Sequence, residues 1–179
     1  TVTNDSLDSL LATITPDDSL GERDRAIIDV LWATGMRRGE LLRMELHHID
    51  LEAGTIIIPI TKTRTPRIVP LTPEALNSLV AWLQRRISWN ATDDLVWQAK
   101  VHGEIRPMTA NALRLMLERR RNRAGVSISA HSFRRGATVR LLRNGVSGPS
   151  VERIMGWSVG SPMMANYSRS LGQELALEE

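Results

Sequence analysis

The chain of 179 residues has a single tyrosine, Tyr167, which follows a segment rich in arginine. A phenol hydroxyl serves as a covalent nucleophile when cations hold the group that it attacks. The segment from Arg114 to Arg143 contains nine arginines and one acid, Glu118, whereas the whole chain has a net charge of only +3. Such a concentration of positive charge favours a polyphosphate partner, above all nucleic acid. The alternative is a solvated basic helix face.

His131 and Arg134 are three residues apart, a spacing that places both side chains on one side of a helix. In that helix Phe133, Ala137 and Leu141 form the stripe that faces the core, and the His/Arg pair lies at its border. An imidazole and a guanidinium at this border could bind one ligand while the helix stays packed. The alternative is a histidine at the helix start next to a surface arginine.

Arg37 and Glu40 repeat this spacing on another predicted helix. Glu40 could hold the guanidinium in one orientation and direct it at a phosphate oxygen, although many surface helices carry such a pair without a functional role. Lys62 lies in a predicted hairpin turn, where its ammonium could protonate a leaving oxygen, which a guanidinium does not do near neutral pH. A turn lysine can equally be a solvated surface residue.

The composition excludes several classes of protein and site. The length suits one well-packed domain, and no apolar run is long enough to span a membrane. The chain has no cysteine, so it has neither disulfides nor thiolate metal ligands. His47 and His48 are adjacent rather than at a metal-ligand spacing, so we expect no metal site. Because a glycine-rich phosphate loop is missing, no nucleotide cofactor is expected.

Helical periodicity dominates the chain and predicts a mainly α protein. Ser6 is the expected N-cap of a first helix, and Gly35 is the expected end of a second helix over residues 22–33. Thr72-Pro73 marks the start of another helix. Further helices are expected from Arg37, over residues 109–124 and 131–144, and from about residues 150 and 162.

Two short runs rich in β-branched residues, 55–60 and 67–71, predict an antiparallel β-hairpin. Pro59 and Pro70 lie inside these runs and remove backbone donors, so the strands are expected at sheet edges or ends. Residues 94–101 are ambiguous and could be extended. The fold class is therefore mainly helical with a small antiparallel sheet.

Residues 141–157 offer a different interpretation, because they resemble a helix-turn-helix. That motif needs a tight turn to hold its second helix in the major groove of DNA. Here the turn contains Gly145, Gly148 and Pro149 and is loose for the motif. We therefore favour a DNA contact that does not depend on a recognition helix at this place.

Together these residues resemble the sequence boxes of the tyrosine recombinases, the phage integrase family. The boxes are matched by residues 34–42 (TGMRRGELL), by Lys62 with residues 67–71 (RIVPL), by residues 131–134 (HSFR), and by Gly156-Trp157 with Tyr167. Each box alone is a weak signal, but four of them in the family's order and spacing are a strong one. The resemblance extends over residues 21–179.

The resemblance implies a DNA breaking and rejoining fold in which Tyr167 attacks a phosphodiester and becomes joined to the 3′ phosphate. It implies catalytic roles for Arg37, Lys62, His131, Arg134, Trp157 and Tyr167, with Glu40 orienting Arg37. It also implies DNA contacts from Arg38, Arg64 and Arg135. No metal or other cofactor is implied, because the phosphotyrosine keeps the free energy of the ester for religation.

Two positions depart from the usual family pattern. Arg135 stands where a histidine is common, which affects packing or backbone contact more than the chemistry. Trp157 replaces the more frequent histidine, as it does in the family member Cre, so it can donate one indole N–H but cannot transfer a proton.

The resemblance also implies double-stranded DNA as the partner, in the cytoplasm of a prokaryote and at its nucleoid. Because members of the family clamp DNA with a second helical domain, we expect residues 1–179 to be a C-terminal catalytic domain without that N-terminal core-binding domain. Residues 1–20 are then a helix and linker. The tail 171–179 either packs on a neighbouring protomer in a DNA-bound tetramer or is a frayed terminus, and the isolated domain is expected to be a monomer.

Several relatives and one unrelated class remain as alternatives. A type IB topoisomerase or a telomere resolvase would use a similar set of residues, with relaxed supercoils or hairpin ends as the product. A non-catalytic DNA-binding regulator could have the same fold. An RNA-binding helical module would fit the charge, but one Phe and one Tyr leave few platforms for base stacking beyond the five tryptophans.

Overall fold

The computed structural model describes residues 1–59 and 66–167. The helices in these ranges are α1 (Asn4–Leu11), α2 (Gly21–Thr34), α3 (Arg38–Leu42), α4 (Pro73–Ser88), α5 (Ala110–Ala124), α6 (Ala130–Arg143) and α7 (Gly148–Met155). Residues 162–167 are helical as well. The strands are β1 (Ile49–Asp50), β2 (Thr55–Ile58), β3 (Arg67–Pro70), β4 (Gln98–Val101) and β5 (Glu104–Pro107). The predicted class, mainly α with a small antiparallel sheet, is confirmed.

The core is built around α2, whose residues are buried along almost its whole length. It packs against α4 on one side and α6 on the other. Trp82 on α4 is fully buried and meets Trp97 in a stacked pair with ring centroids 6.5 Å apart. In the described part of the chain, no helix combines the length and the apolar character that crossing a bilayer requires.

The helix boundaries follow local signals, with one correction. Thr72 and Thr109 accept hydrogen bonds from the third backbone N–H of α4 and α5, as N-caps do. Gly35 ends α2 with a φ of 59°, a left-handed conformation that favours glycine. The prediction of Ser6 as the first N-cap was wrong. Thr3 is the cap, and the Ser6 hydroxyl instead accepts a hydrogen bond from the Thr3 backbone N–H in a capping box.

The predicted hairpin is confirmed as β2 and β3, and β1 extends it to a three-stranded sheet in the order β1-β2-β3. Ile56 pairs with Val69 on the buried face, whereas Ile57 pairs with Ile68 on the exposed face. Pro59 follows the end of β2, so the central strand keeps its backbone donors. Lys62, Arg64 and the tail 171–179 lie outside the described residues.

A second small sheet was not predicted. β4 and β5 form an antiparallel hairpin that falls partly in the segment left ambiguous by sequence. Its turn consists of His102 and Gly103, which have φ values of 51° and 84°. Two successive residues with positive φ match the right-handed twist of a two-residue hairpin.

The first twenty residues pack onto the rest of the domain through a buried arginine. Arg120 on α5 is fully buried. Its Nε donates to Asp24 at 3.0 Å, its Nη1 donates to the Thr13 carbonyl at 2.9 Å, and its Nη2 donates to Asp18. Burial alone would raise the pKa of Asp18, but hydrogen bonds from Arg120 and the Leu20 N–H hold that pKa below its usual value. One arginine of the basic segment is thus a structural residue.

Replacement of Arg120 by methionine is expected to lower the free energy of unfolding by about 3 kcal/mol, because Asp24 keeps its burial and loses a partner. The matched control is Arg119→Met, since Arg119 donates to the same carboxylate at 3.0 Å but is half-exposed. That control should cost less than about 1 kcal/mol. Urea unfolding of both variants measures the difference.

The pH dependence of the Arg120 variant gives a second check. A carboxylate whose pKa is lowered by folding stabilises the fold above its unfolded pKa, and this contribution is lost as the pH falls through the folded value. The difference between wild type and Arg120→Met should therefore shrink when unfolding is repeated at acid pH, as Asp18 becomes protonated. Equal unfolding free energies for Arg119→Met and Arg120→Met would contradict the structural role.

Candidate active site

A groove of about 1380 Å³ opens between α3, α5, α6 and α7. Its lining includes the arginines Arg37, Arg38, Arg67, Arg114, Arg121, Arg134 and Arg153. Two glutamates, Glu118 and Glu152, and one histidine, His131, also line it. With seven arginines against two acids among these described residues, the groove has the charge that a polyanion requires.

Arg37 is held at the first turn of α3 by Glu40. The Arg37 backbone N–H donates to Glu40 Oε2 at 2.7 Å, and Arg37 Nη1 donates to Glu40 Oε1 at 3.1 Å. The same guanidinium donates to the carbonyls of Met155 at 3.3 Å and Gly156 at 3.4 Å. The predicted contact between Arg37 and Glu40 is therefore present, and it is joined to the end of α7.

Arg134 is buried, so the alternative of a surface arginine was wrong. Its Nη1 donates to the Gly35 carbonyl at 3.0 Å, and its Nη2 donates to the Met155 carbonyl at 2.5 Å. Because Arg37 donates to the same Met155 oxygen, the two guanidinium groups converge on one atom. Two cations converging in this way can bind two oxygens of one anion.

The close approach of the end of α2 to α6 depends on Gly35. A Cβ at this position would lie 2.7 Å from the Ala137 Cβ, so a side chain would separate the end of α2 from α6. The left-handed φ of Gly35 adds a second reason for glycine. Its carbonyl is thereby brought to Arg134.

The site lowers the pKa values of two of its groups, which disfavours the charged form of Arg134 and favours the charged form of Glu40. Burial, followed by the charge of Arg37, lowers the pKa of Arg134 to about 9, so this guanidinium is still a cation at neutral pH. Burial acts to raise the pKa of Glu40, but hydrogen bonds from Arg67 and from the Arg37 backbone outweigh it and lower the value to about 2. Glu40 is therefore a permanent anion between cations.

Arg67 is a site residue that the sequence analysis missed. It is buried on β3, and its Nη1 and Nη2 donate to the two oxygens of Glu40 at 3.0 Å and 2.7 Å. Its Nε donates to the Ile154 carbonyl at 2.8 Å. One signal for Arg67 was present in the sequence, because this residue begins the strand that follows the lysine-bearing turn. Its role could not be predicted, since its partners Glu40 and Ile154 are distant along the chain.

Tyr167 is buried against Trp157. The two rings stack at a centroid distance of 5.7 Å and an angle of 11°, and Tyr167 is 7% exposed. The Trp157 ring also lies 5.4 Å from the Arg134 guanidinium, and Tyr167 is close enough to Arg134 to interact with its charge. Tyr167 and Arg134 therefore both contact the Trp157 ring, although Tyr167 does not line the groove itself.

Glu152 on α7 fixes the segment that leads to Tyr167. Its carboxylate accepts the backbone N–H groups of Gly160 at 3.2 Å and Ser161 at 2.9 Å. These donors immediately precede the helical residues 162–167. The carboxylate therefore accepts hydrogen bonds from N–H groups that have no partner within that helix, and its negative charge is favourable at a helix start. The nucleophile candidate is thus carried by a tethered segment.

The other residues predicted for the site differ in whether they line the groove. His131 is exposed near the start of α6 and lines the groove. Arg38 is exposed and lines the groove, whereas Arg135 is exposed on α6 but is not part of the lining. Lys62 and Arg64 are outside the described residues. The structure thus brings Arg37, Arg134, Trp157 and Tyr167 together, with His131 on the same groove.

Of the two adjacent histidines, His48 is buried and structural, whereas His47 is exposed. His48 accepts the Glu45 backbone N–H on its Nδ1 at 3.0 Å, and its ring lies 4.2 Å from that of His47. Across residues 1–59 and 66–167, no three His, Asp or Glu side chains are grouped so that they could hold a metal ion.

Known proteins with related sequences are bacterial tyrosine recombinases. XerD of Pseudomonas aeruginosa is 31% identical over 159 residues, which cover 85% of this chain and 51% of XerD. XerC of Actinobacillus succinogenes is 25% identical over 138 residues, which cover 76% of this chain and 45% of XerC. The chain therefore spans about half the length of the curated relatives that it matches.

Solved structures of recombinases have the same fold. XerA recombinase superimposes with a TM-score of 0.81 at 22% identity, covering 99% of this chain and 62% of XerA. XerH bound to its difH substrate in a pre-cleavage complex gives a TM-score of 0.75 at 25% identity, covering 99% of this chain and 52% of XerH. The sequence profile of the phage integrase family matches residues 1–174 of this chain. The chain therefore belongs to the phage integrase family.

Proposed function

We propose that this chain is the catalytic domain of a site-specific DNA recombinase that cleaves and rejoins strands through a 3′-phosphotyrosine. The convergence of Arg37 and Arg134 on the Met155 carbonyl carries the proposal. It supplies two cations for the oxygens of one phosphodiester, next to the phenol of Tyr167. Membership of the phage integrase family supports the same assignment.

In the cleavage step, the Tyr167 hydroxyl oxygen forms a bond to phosphorus as the bond to the 5′ oxygen breaks. The phenol proton passes to His131, and Lys62 protonates the leaving 5′ oxygen. Arg37 and Arg134 bind the non-bridging oxygens, where negative charge accumulates in the five-coordinate transition state. Trp157 walls the site and holds the phenol ring by stacking.

Religation reverses these steps with a 5′ hydroxyl from another strand. The phosphotyrosine is a phosphodiester like the bond that it replaces, so neither ATP nor a metal ion is needed for its energy balance. Tyr167 leaves as the phenol and regains its proton from His131. Strand exchange then depends on which 5′ hydroxyl reaches the site.

The partner is double-stranded DNA, recognised in part through its backbone. The exposed groove arginines, Arg38 among them, neutralise phosphates and release counterions, with Arg64 and Arg135 as additional contacts. Binding should therefore weaken steeply as the salt concentration rises. We propose that the protein acts in the cytoplasm of a prokaryote, at the nucleoid, because its relatives XerC and XerD are tyrosine recombinases of bacteria.

We propose further that residues 1–179 act with an N-terminal core-binding domain, residues 1–20 forming the helix and linker between them. The tail 171–179 then packs on a neighbouring protomer in a tetramer on DNA, while the isolated domain stays monomeric. Truncation after Ser170 tests this arrangement. Loss of the tetramer on DNA, with cleavage by the monomer retained, is the expected result.

The function is tested by covalent trapping. The full-length gene product is incubated with nicked duplexes that carry its recombination site and lose the 5′ hydroxyl fragment on cleavage. We expect an adduct that resists denaturation, and peptide mapping should locate the phosphate on Tyr167. Relaxed supercoils without a specific site would instead indicate a topoisomerase, and hairpin ends a telomere resolvase. Binding without any adduct would indicate a regulator and would overturn the proposal.

A further inference from the structure

We propose that Arg67 is a positioning residue for DNA cleavage, acting through Glu40 to set the orientation of Arg37. The inference extends the proposed function and rests on it. Its basis is a carboxylate that two arginines share: each oxygen of Glu40 accepts one bond from Arg67 and one from Arg37. Glu40 is 9% exposed, so water does little to satisfy these oxygens.

Arg67 joins three elements of the site. It belongs to β3, it binds Glu40 on α3 in a bidentate pair, and its Nε binds the Ile154 carbonyl on α7. The next two carbonyls, those of residues 155 and 156, accept bonds from Arg37, and residue 155 also accepts one from Arg134. Three arginines therefore bind three successive carbonyls at the C-terminal end of α7, where the helix dipole favours cations.

The end of α7 is shaped for this contact. Gly156 caps the helix with a φ of 62°, and a Cβ at this position would lie 2.7 Å from Arg67 Nη1. A larger residue would thus displace the Arg67 guanidinium or open the helix end. The fit of glycine against Arg67 indicates that the contact is specific to this site.

Positioning explains the geometry better than a direct contact with DNA. All three nitrogens of the Arg67 guanidinium donate to protein acceptors, and the residue is 8% exposed. Arg37 is more exposed, with 27% of its side chain accessible, and lines the same groove. Arg67 therefore acts on the reacting phosphate through Glu40 and Arg37.

The electrostatic consequence concerns Glu40. Among residues 1–59 and 66–167, the charged groups that face it are Arg37 from the start of α3, Arg67 from β3 and Arg134 from α6, while α7 contributes backbone carbonyls to the arginines. Burial raises the pKa of Glu40, and the hydrogen bond from Arg67 is the largest of the effects that lower it. Without Arg67, the pKa of Glu40 should rise, and protonation would remove an acceptor from Arg37.

The test compares Arg67→Met with wild type and with Arg106→Met, which removes an exposed arginine from β5 outside the site. At neutral pH we expect Arg67→Met to form the adduct on nicked duplex about 10- to 100-fold more slowly, the scale of a misplaced catalytic group. The loss should deepen as the pH falls through the raised pKa of Glu40. Arg106→Met should match wild type at every pH.

Two further variants separate positioning from folding. Adding Glu40→Gln to Arg67→Met should abolish the extra acid dependence, because residue 40 no longer titrates. Arg67→Lys retains a cation but loses the bidentate pair, so it should give an intermediate rate. It also replaces Arg67→Met if the methionine variant does not fold.

A measurement without DNA separates this inference from the proposed function. The carboxyl carbon of Glu40, followed by NMR as the pH is lowered, should titrate at higher pH in Arg67→Met than in wild type. Unchanged titration, or a loss of rate that is the same at every pH, would overturn the positioning role. If wild type forms no adduct on its site, the proposed function fails, and the NMR result still decides whether Arg67 controls Glu40.

Discussion

The Tyr167→Phe variant is expected to form no covalent adduct with DNA while keeping its fold and its groove. Phenylalanine keeps the ring that stacks on Trp157 and stays buried. Only the hydroxyl oxygen that is proposed to attack phosphorus is lost, so the effect isolates the chemical step. Trapping on nicked duplex and thermal unfolding measure the two parts of this expectation.

A matched control removes another hydroxyl from the same groove. Ser158 is exposed in the lining, so Ser158→Ala should form the adduct at the wild-type rate. Binding of DNA by Tyr167→Phe should also stay within about twofold of wild type, because the cations that hold the phosphates are unchanged. An adduct that persists in Tyr167→Phe would assign the nucleophile to another residue.

The elements that the sequence predicted well are those with local signals. The helix predicted over residues 109–124 matches α5, because its cap, Thr109, and its stop, Gly125, each act within one helical turn. The β-branched residues of the runs 55–60 and 67–71 predicted the hairpin, because strand preference is a local signal as well. The β4–β5 hairpin was missed because its signal is a single glycine, Gly103, after a histidine with an uncommon positive φ.

Contacts within the site were predicted only between residues that are close to each other in the sequence. Arg37 and Glu40 are one helical turn apart, so their pairing followed from spacing. The burial of Arg134 depends on carbonyls of Gly35 and Met155, which only the fold brings to α6. Sequence therefore left open whether Arg134 is a surface residue.

The basic segment shows why composition alone is a limited guide. Its charge favoured a polyanion, but Arg120 in this segment is buried against Asp18 and Asp24. Arg140 covers the Trp32 ring at 3.4 Å. Only part of the charge faces the groove, while Arg67 adds a cation from a strand outside the segment. Net charge indicated a class of partner, whereas the fold determines which of the arginines face the groove.

Replacement of Arg134 by methionine is expected to slow adduct formation by about 10²- to 10³-fold, the cost of losing one preorganised donor to the transition state. The variant keeps most of the side-chain volume and loses the bonds to Gly35 and Met155. Single-turnover trapping at saturating protein separates this effect from DNA affinity. The control is Arg123→Met, since Arg123 is exposed on α5 and does not line the groove.

Arg134→Lys tests whether the charge itself is what matters. Burial and the charge of Arg37 lower the pKa of Arg134 to about 9, which still leaves a cation at neutral pH. A lysine starts from a lower pKa than an arginine, so the same surroundings would lower its pKa further toward neutrality. The substituted ammonium should therefore be partly neutral where the native guanidinium is charged, and lysine should be a poor substitute at pH 8.

The sign of the pH dependence follows from this shift. A lysine at this position gains its proton at a lower pH than the native arginine does. As the pH falls, the rate of Arg134→Lys divided by that of wild type should therefore rise, while the ratio for Arg134→Met stays level. The free energy of unfolding of Arg134→Lys should change in the opposite direction and rise with the pH. The unfolded chain keeps the lysine proton to about pH 10, so Arg134→Lys should become more stable as the pH rises through the lowered pKa. A flat rate ratio for Arg134→Lys would mean that geometry, and not charge, limits the reaction at this position.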